Sequence, residues 1–557
     1  MNLRLLAPFL LTLAAAAQPA PPPKPATVEG SVVNSVTGAA LRKADVTLAN
    51  GEITEEMVAM MQQFAKGARL PDAQVATRTF TAATDAEGKF RFENVPPGTY
   101  WLTVKKVGFE DVHYSAKGGR TDEGASFHLA AGQALTEVAV RMVPHGSISG
   151  RVLDEDGDPF PTANVTAQKY VYSGGHRRLM PADMAQTNNR GEFTLSKLPP
   201  GTYFLCADVQ NMAFGERPAP PPADGSPETA YVGTYYPSAL SAAEAQKVEV
   251  AAGGEVNGIA ILLRKSRVVR MSGKLVDAAG APIRAAQVMI MDVSRVGSMS
   301  MRMVNDPEGK FELTNLQPGA YTAMIMQMQG SSPKVTMLPL LVPDKNTENL
   351  KLGPLPEGTI QGGVTVEGDS KLPLENFTAM LTPSQAVVMP ITAKADSAGA
   401  FALEHIVPAS YDLALSHLPG ETYVKSVVFN GREVAGQTLD CSSSASGTLR
   451  IVLGTDGGQV DASVMREDQH AAGATVLLLP ADPARRTPDN IRTEWSDQSG
   501  HALVHNVPPG DYLAFAWEKI EDGQWFDPDF IKTVEGHAVK VRVTSKGSGK
   551  IELKLVK

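Results

Sequence analysis

The sequence predicts an all-β protein: five tandem Ig-like Greek-key β-sandwiches, the first carrying a helical insertion. Three observations predict it. A closing motif of 18 residues occurs five times without a gap. An opening strand–turn–strand motif precedes each copy. Within both, apolar and polar residues alternate with the period of a half-buried strand. Internal repetition fixes the architecture before any single residue can be read as a site.

The closing motif reads DAEGKFRFENVPPGTYWL at Asp85–Leu102 and NNRGEFTLSKLPPGTYFL at Asn188–Leu205. It returns as DPEGKFELTNLQPGAYTA at Asp306–Ala323, DSAGAFALEHIVPASYDL at Asp396–Leu413 and DQSGHALVHNVPPGDYLA at Asp497–Ala514. Asp85, Asn188, Asp306, Asp396 and Asp497 open a turn, because a short side-chain oxygen accepts from N–H groups two residues on. Gly88, Gly191, Gly309, Gly399 and Gly500 supply the positive φ that turn needs. Phe90, Phe193, Phe311 and Phe401 then begin an alternating strand, with Ala502 at that place in the fifth copy. Proline breaks the strand, since it has no N–H for the ladder. Tyr100, Tyr203, Tyr321, Tyr411 and Tyr512 follow directly after this corner. Their placement predicts a tyrosine corner, the hydroxyl bonded to backbone a few residues upstream.

The opening motif begins at Val28 (VEGSVVNSVTGAALRKADVTL), Ile148 (ISGRVLDEDGDPFPTANVTA), Met271 (MSGKLVDAAGAPIRAAQVMI) and Ile360 (IQGGVTVEGDSKLPLENFTA), with a weaker version at Gln459 (QVDASVMREDQHAAGATVLL). Each repeat has room for about seven short strands in about 100 residues, the size of a two-sheet sandwich. The repeats are drawn at 27–143, 144–268, 269–355, 356–455 and 456–557. Their junctions are short, so a semi-rigid row is expected, whether straight or folded back.

Together the two motifs closely resemble the carboxypeptidase regulatory-like domain. The resemblance implies a transthyretin-like sandwich within a wider carbohydrate-binding-like fold group, repeated over nearly the whole mature chain. It is specific for the domain family and not for a function. The fourth copy departs at Ala409-Ser410 and the fifth at Ala502, which implies divergent packing.

The chain has 557 residues, is 43% apolar and 20% charged, and carries a net charge of −9. That composition supports large cores, and the lack of a basic stripe argues against a nucleic-acid partner. The N-terminus reads as a signal peptide over residues 1–17, with Arg4 ahead of a short apolar run and Ala15-Ala16-Ala17 at the cleavage site. A Pro-rich linker over 18–26 follows. An exported protein is expected, in the periplasm, at the cell surface or outside the cell, with no membrane span after signal removal. Cys206 and Cys441 fall in different repeats, so no bridge is expected, and Cys206, on an apolar stretch after Tyr203, reads as a small buried hydrophobe.

Two insertions and one cluster break the regularity. Residues 52–70 place Ile53, Met57, Met60, Met61 and Phe64 at helical spacing behind Thr54, either a partner-binding helix or one packed over the sandwich. Residues 216–247 form a Pro-rich loop with Tyr231, Tyr235 and Tyr236, which can stack on sugar rings or pin the loop. Gly523–Phe530 holds Trp525, Phe526 and Phe530, an exposed binding patch or buried anchors. Tyr235, Tyr236, Trp525 and Phe526 are the candidate ligand-binding residues. No catalytic, metal or cofactor motif emerges: GSISG at Gly146–Gly150 has Ile148 at its centre, His501 and His505 flank a strand, and DEDGDP at Asp154–Pro159 is a hairpin turn. The sequence therefore reads as a non-enzymatic exported array, structural or binding a polysaccharide or protein at the bacterial cell envelope. The alternative is an accessory component of a separate envelope enzyme or outer-membrane transport system.

Overall fold

The alternating runs become strands, as their period requires. The computed structural model describes residues 24–556 apart from 51–78, 115–126, 214–219, 294–298, 385–389 and loop gaps of one to three residues. The expected signal peptide and the expected helix over 52–70 lie outside the described residues.

In repeat 1 the strands are β1 (Ala26–Asn34), β2 (Asp45–Asn50), β3 (Thr79–Ala83), β4 (Lys89–Val95), β5 (Gly98–Lys105), β6 (Val112–Tyr114), β7 (Phe127–Leu129) and β8 (Ala134–Met142). One sheet has the order β4-β1-β8, with β1 antiparallel to β4 and parallel to β8. The other has the order β3-β2-β5-β6, with β7 also pairing β5. The two inner faces bury Val28, Val32, Val46, Leu48, Phe90, Leu102 and Val140 between them. Repeat 2 continues with β9 (Gly146–Leu153), β10 (Asn164–Ser173), β11 (His176–Gln186), β12 (Glu192–Leu198), β13 (Gly201–Asp208) and β14 (Asn211–Ala213).

The same arrangement recurs along the chain. The first strand of every repeat is antiparallel to its Asp/Asn-turn strand and parallel to its last strand: Gly146–Leu153 with Glu255–Leu262, Val269–Leu275 with Thr347–Leu352, Gly358–Val366 with Gly447–Gly454, and Gly458–Arg466 with Ser548–Val556. Five main clusters of buried residues follow, each drawn from one of these stretches.

The closing motif does what its chemistry predicts. The Asp85 carboxylate accepts from the N–H of Glu87 at 3.1 Å and of Lys89 at 2.7 Å. Asn188, Asp306, Asp396 and Asp497 accept in the same way. The turn glycine has φ +73° at Gly88, and its carbonyl accepts from the Val32 N–H at 2.8 Å, tying the turn to the first strand. The corner tyrosines donate to the carbonyl four residues upstream: Tyr100 to Pro96 at 2.9 Å, Tyr203 to Pro199, Tyr411 to Val407 at 2.9 Å and Tyr512 to Pro508 at 2.7 Å. Tyr321 occupies the same corner and is buried. The sequence pattern did not announce a bulge near the start of each first strand, where the register shifts, as between Ala26 and Val28. Asn94, Asn315, His405 and Asn506, just before the corner, take φ between +53° and +60° there. Asn tolerates that region better than most residues.

Repeats 2 and 3 are joined by strand pairing and by a buried arginine. β14 extends the repeat 3 sheet by pairing parallel with Met299–Asn305. Thr229–Val232 pairs with Arg264–Arg267 beside the junction. Arg270, 8% exposed, makes a two-pronged bond to Glu228 at 2.6 and 2.7 Å and a third to Glu312 at 3.0 Å.

Candidate functional site: two capped sheets and an interdomain clasp

Within the loop expected over 216–247, the described residues 235–245 close over the outer face of the repeat 2 sheet. Tyr235 is 2% exposed and packs with Phe204 and Cys206. Its hydroxyl donates to the Gln168 side-chain oxygen at 3.1 Å. Tyr236 is half-buried against the repeat 2 core, and Tyr231 lies edge-on to Phe160 with the Lys265 ammonium 4.9 Å above its ring.

Repeat 5 is capped by a different route. Asp527 caps the helix Pro528–Val534 by accepting from the Asp529 N–H at 2.9 Å. Pro528 at the first helical position lacks only an N–H that would have no partner. The helix and the turn before it bury Trp525, Ile531 and Val534 with Leu477, Leu479, Phe515 and Trp517. Phe515 and Trp517 stack at 5.2 Å. Trp525 is 8% exposed and Phe526 is partly buried against the same cluster. A ring that stacks on a sugar must present a bare face. Tyr235 and Trp525 have almost none, and Tyr236 and Phe526 are partly buried.

The Asp527 cap of repeat 5 has a second role that its local sequence does not announce. The hairpin β10–β11 of repeat 2 reaches across to repeats 4 and 5. Its Tyr172 hydroxyl donates to the Asp527 carboxylate at 3.2 Å, and the Arg177 guanidinium donates to the same oxygen at 2.8 Å. Arg177 also lies over the Tyr170 ring, 4.2 Å from its centre. The neighbouring Arg178 donates to Asp412 of repeat 4 at 2.7 Å and to the Ser384 carbonyl at 3.4 Å. Ser384 in turn donates to the other Asp412 oxygen at 2.7 Å. Adjacent residues of a strand point to opposite faces, so one Arg-Arg pair can hold two different repeats. The available signal was HRR at the tip of a hairpin, two cations side by side in an otherwise acidic chain.

The clasp's electrostatics fit its geometry. Burial alone would raise the Asp527 carboxyl, but the Asp529 N–H, Arg177 and the Phe530 N–H outweigh it and hold it below the usual carboxylate range. Burial, followed by the Asp527 charge, pushes the Tyr172 hydroxyl up to about 12. The arginines stay partly in water, where such pairs contribute only about 0–1 kcal/mol each. The clasp therefore sets orientation more than stability.

Repeats 4 and 5 also meet directly. Gln437 donates to the Asp489 carboxylate. Tyr423 and Ser545 each donate to Asp456 at 2.8 Å. Burial raises the Asp489 carboxyl to about 6. Arg492 beside it spends its guanidinium on the carbonyls of Asp489, Ile491 and Asn506.

The remaining sequence candidates have structural duties. Asp154 accepts from the N–H groups of Asp156 and Asp158, as Asp277 does from Ala279 and Ala281 in repeat 3. His501 stacks on His470 at 5.8 Å. Cys206 and Cys441 are buried and form no disulfide, and burial pushes the Cys441 thiol up to about 11. Among the described residues no group of three or more His, Cys, Asp or Glu is placed to hold a metal ion, and no helix is long and apolar enough to cross a membrane.

Residues 63–143 and 147–221 match the carboxypeptidase regulatory-like domain family. The chain carries this domain in tandem. No curated protein matches it. Similar solved structures include GBS52, the minor pilin of Streptococcus agalactiae, at 13% identity over 43% of this chain and 96% of that one, with a TM-score of 0.21. They also include the Bacillus anthracis TIE protein, at 11% identity over 74% of both chains and a TM-score of 0.16. The major pilin subunit BcpA of Bacillus cereus matches at 11% identity over 59% of this chain and 99% of that one, with a TM-score of 0.14. Superpositions this loose carry no functional argument. What the regulatory-like domains do here must be read from their own surfaces.

Proposed function

We propose that this chain is a non-enzymatic, exported scaffold of regulatory-like sandwiches, folded back on itself, that presents its unshared surfaces to a polysaccharide or protein of the bacterial envelope. The observation that carries the reading is the clasp. One hairpin of repeat 2 is held by Asp412 of repeat 4 and Asp527 of repeat 5. The repeated Asp, Asn, Gly and Tyr residues are occupied in turns and corners, which supports a scaffold over a catalyst. The signal-like N-terminus supports export.

The test is the shape of the protein in solution. Replacing Arg177 and Arg178 together with Glu puts like charges against Asp527 and Asp412. Small-angle scattering should then show the maximum dimension growing toward the order of 170 Å expected for five such globules in line. Unchanged dimensions would show that the clasp does not hold the array. A glycan array and affinity capture on the wild-type chain test the binding half of the reading, and failure of both would leave only a structural role.

A further inference from the structure

We propose that the outer face of the large repeat 3 sheet is a soft-metal site that binds Cu(I) through methionine thioethers. The sheet joins Ala285–Asp292, Met299–Asn305, Gly319–Gln329 and Ser332–Val342. Its inner face is ordinary: Val288, Ile290, Val304, Ala323, Ile325 and Leu338 are buried in the core. Its outer face is not. Met289 lies opposite Met301 on one side and Met324 on the other, and Met324 lies opposite Met337. This makes one unbroken row of four methionines across four strands. Met291 opposite Met299 extends it at one end. Met303 and Met326, both opposite Gln287, extend it at the other.

The equivalent row of repeat 1 shows what this position usually holds. There Thr81, Thr47 and Thr103 lie side by side on the outer face. A water-facing sheet alternates apolar-in and polar-out, so threonine needs no further reason. Methionine at the same three places does. Capping by another segment explains only part of it: repeat 4 covers one end of the face, where Thr322 opposite Met291 is buried beside the Val407–Ser410 corner, while Met303 at the other end is 49% exposed. Residues directly opposite on neighbouring strands have Cβ atoms about 4.5–5.5 Å apart, and each thioether arm has three rotatable bonds. Two or three sulfurs of one row can therefore converge on one ion. Thioether sulfur is a soft ligand that selects Cu(I) over hard cations. Met337 also lines a cleft of about 250 Å³ against the Val407–Ser410 corner of repeat 4, which opens the end of the row to solvent.

The experiment is anaerobic competition between the full chain and bicinchoninate for Cu(I). The wild-type protein should withdraw the metal, and X-ray absorption should show a shell of sulfur around it. The triple variant Met289→Leu/Met301→Leu/Met324→Leu keeps the apolar volume and removes the donors, and it should bind at least tenfold more weakly with its thermal unfolding nearly unchanged. Cys206→Ala/Cys441→Ala should bind like wild type, since those thiols are buried in other repeats. So should Met180→Leu/Met184→Leu, which removes two exposed methionines of repeat 2. No withdrawal by the wild type, undiminished binding by the triple Leu variant, or loss of binding in either control would overturn the proposal.

Discussion

Gly362 of repeat 4 lies opposite Phe401 across the first strand pair, whereas Ala462 of repeat 5 lies opposite Ala502. Repeats 1, 2 and 3 follow repeat 4, with Gly30, Gly150 and Gly273 opposite Phe90, Phe193 and Phe311. A methyl group on Gly362 would overlap the Phe401 ring, so the large residue requires the small one. Repeat 5 exchanges both members at once and spreads the volume evenly. It regains apolar burial on its other side, where the cluster under the helix Pro528–Val534 makes its outer sheet face a second core. Among the described residues repeat 4 shows no such layer, and its outer face carries Asp412 for the clasp instead. The comparison teaches that the pair, not the residue, is what the fold preserves.

The comparison can be broken most severely at Phe401. Phe401→Ala should cost repeat 4 about 3–5 kcal/mol through the cavity beside Gly362, read as faster hydrogen exchange in Gly358–Val366. Next in size is the joint between the two repeats. Asp489 has a folded pKa of about 6, above its ordinary value of 3.8. The folded state therefore holds the proton more tightly than the unfolded one. The resulting stability is fully present below about pH 4 and is lost as pH rises through about 6, with a swing of about 2–3 kcal/mol. Thermal unfolding from pH 4 to 7 should show this decline, and Asp489→Asn should flatten it. Ala502→Phe should overpack repeat 5 by about 1–3 kcal/mol, and adding Ala462→Gly should restore most of the loss in tryptophan-monitored unfolding. Smallest is Tyr512→Phe, which removes one hydroxyl bond and should cost about 1 kcal/mol while leaving any ligand binding intact.

Much of the fold was legible because its signals are local. The Asp–Gly turn, the proline corner and the corner tyrosine each act within a few residues, and five copies made them readable. The meaning of Ala502 was not legible, because its partner Ala462 lies 40 residues away and only the register joins them. The aromatic candidates show a similar limit. Composition placed Tyr235 and Trp525 in long loops, but it could not say that those loops turn inward over a sheet. The clasp was hidden most completely, since Arg177 and Asp527 are 350 residues apart. The methionine face could have been found. MIM at 289–291, MSMRM at 299–303 and MIM at 324–326 are alternations, and an alternation whose outward positions are all sulfur needs a reason beyond burial.

The parallel pairing of first and last strands has a mechanical consequence. Two neighbouring strands that run in the same direction place the entry and exit of each sandwich at opposite poles. Tension applied to the chain ends would thus pull these strands past one another, loading their whole ladder in shear instead of unzipping it bond by bond. Single-molecule stretching should first release the Arg177 and Arg178 contacts at low force. It should then meet five stiffer steps, one for each ladder.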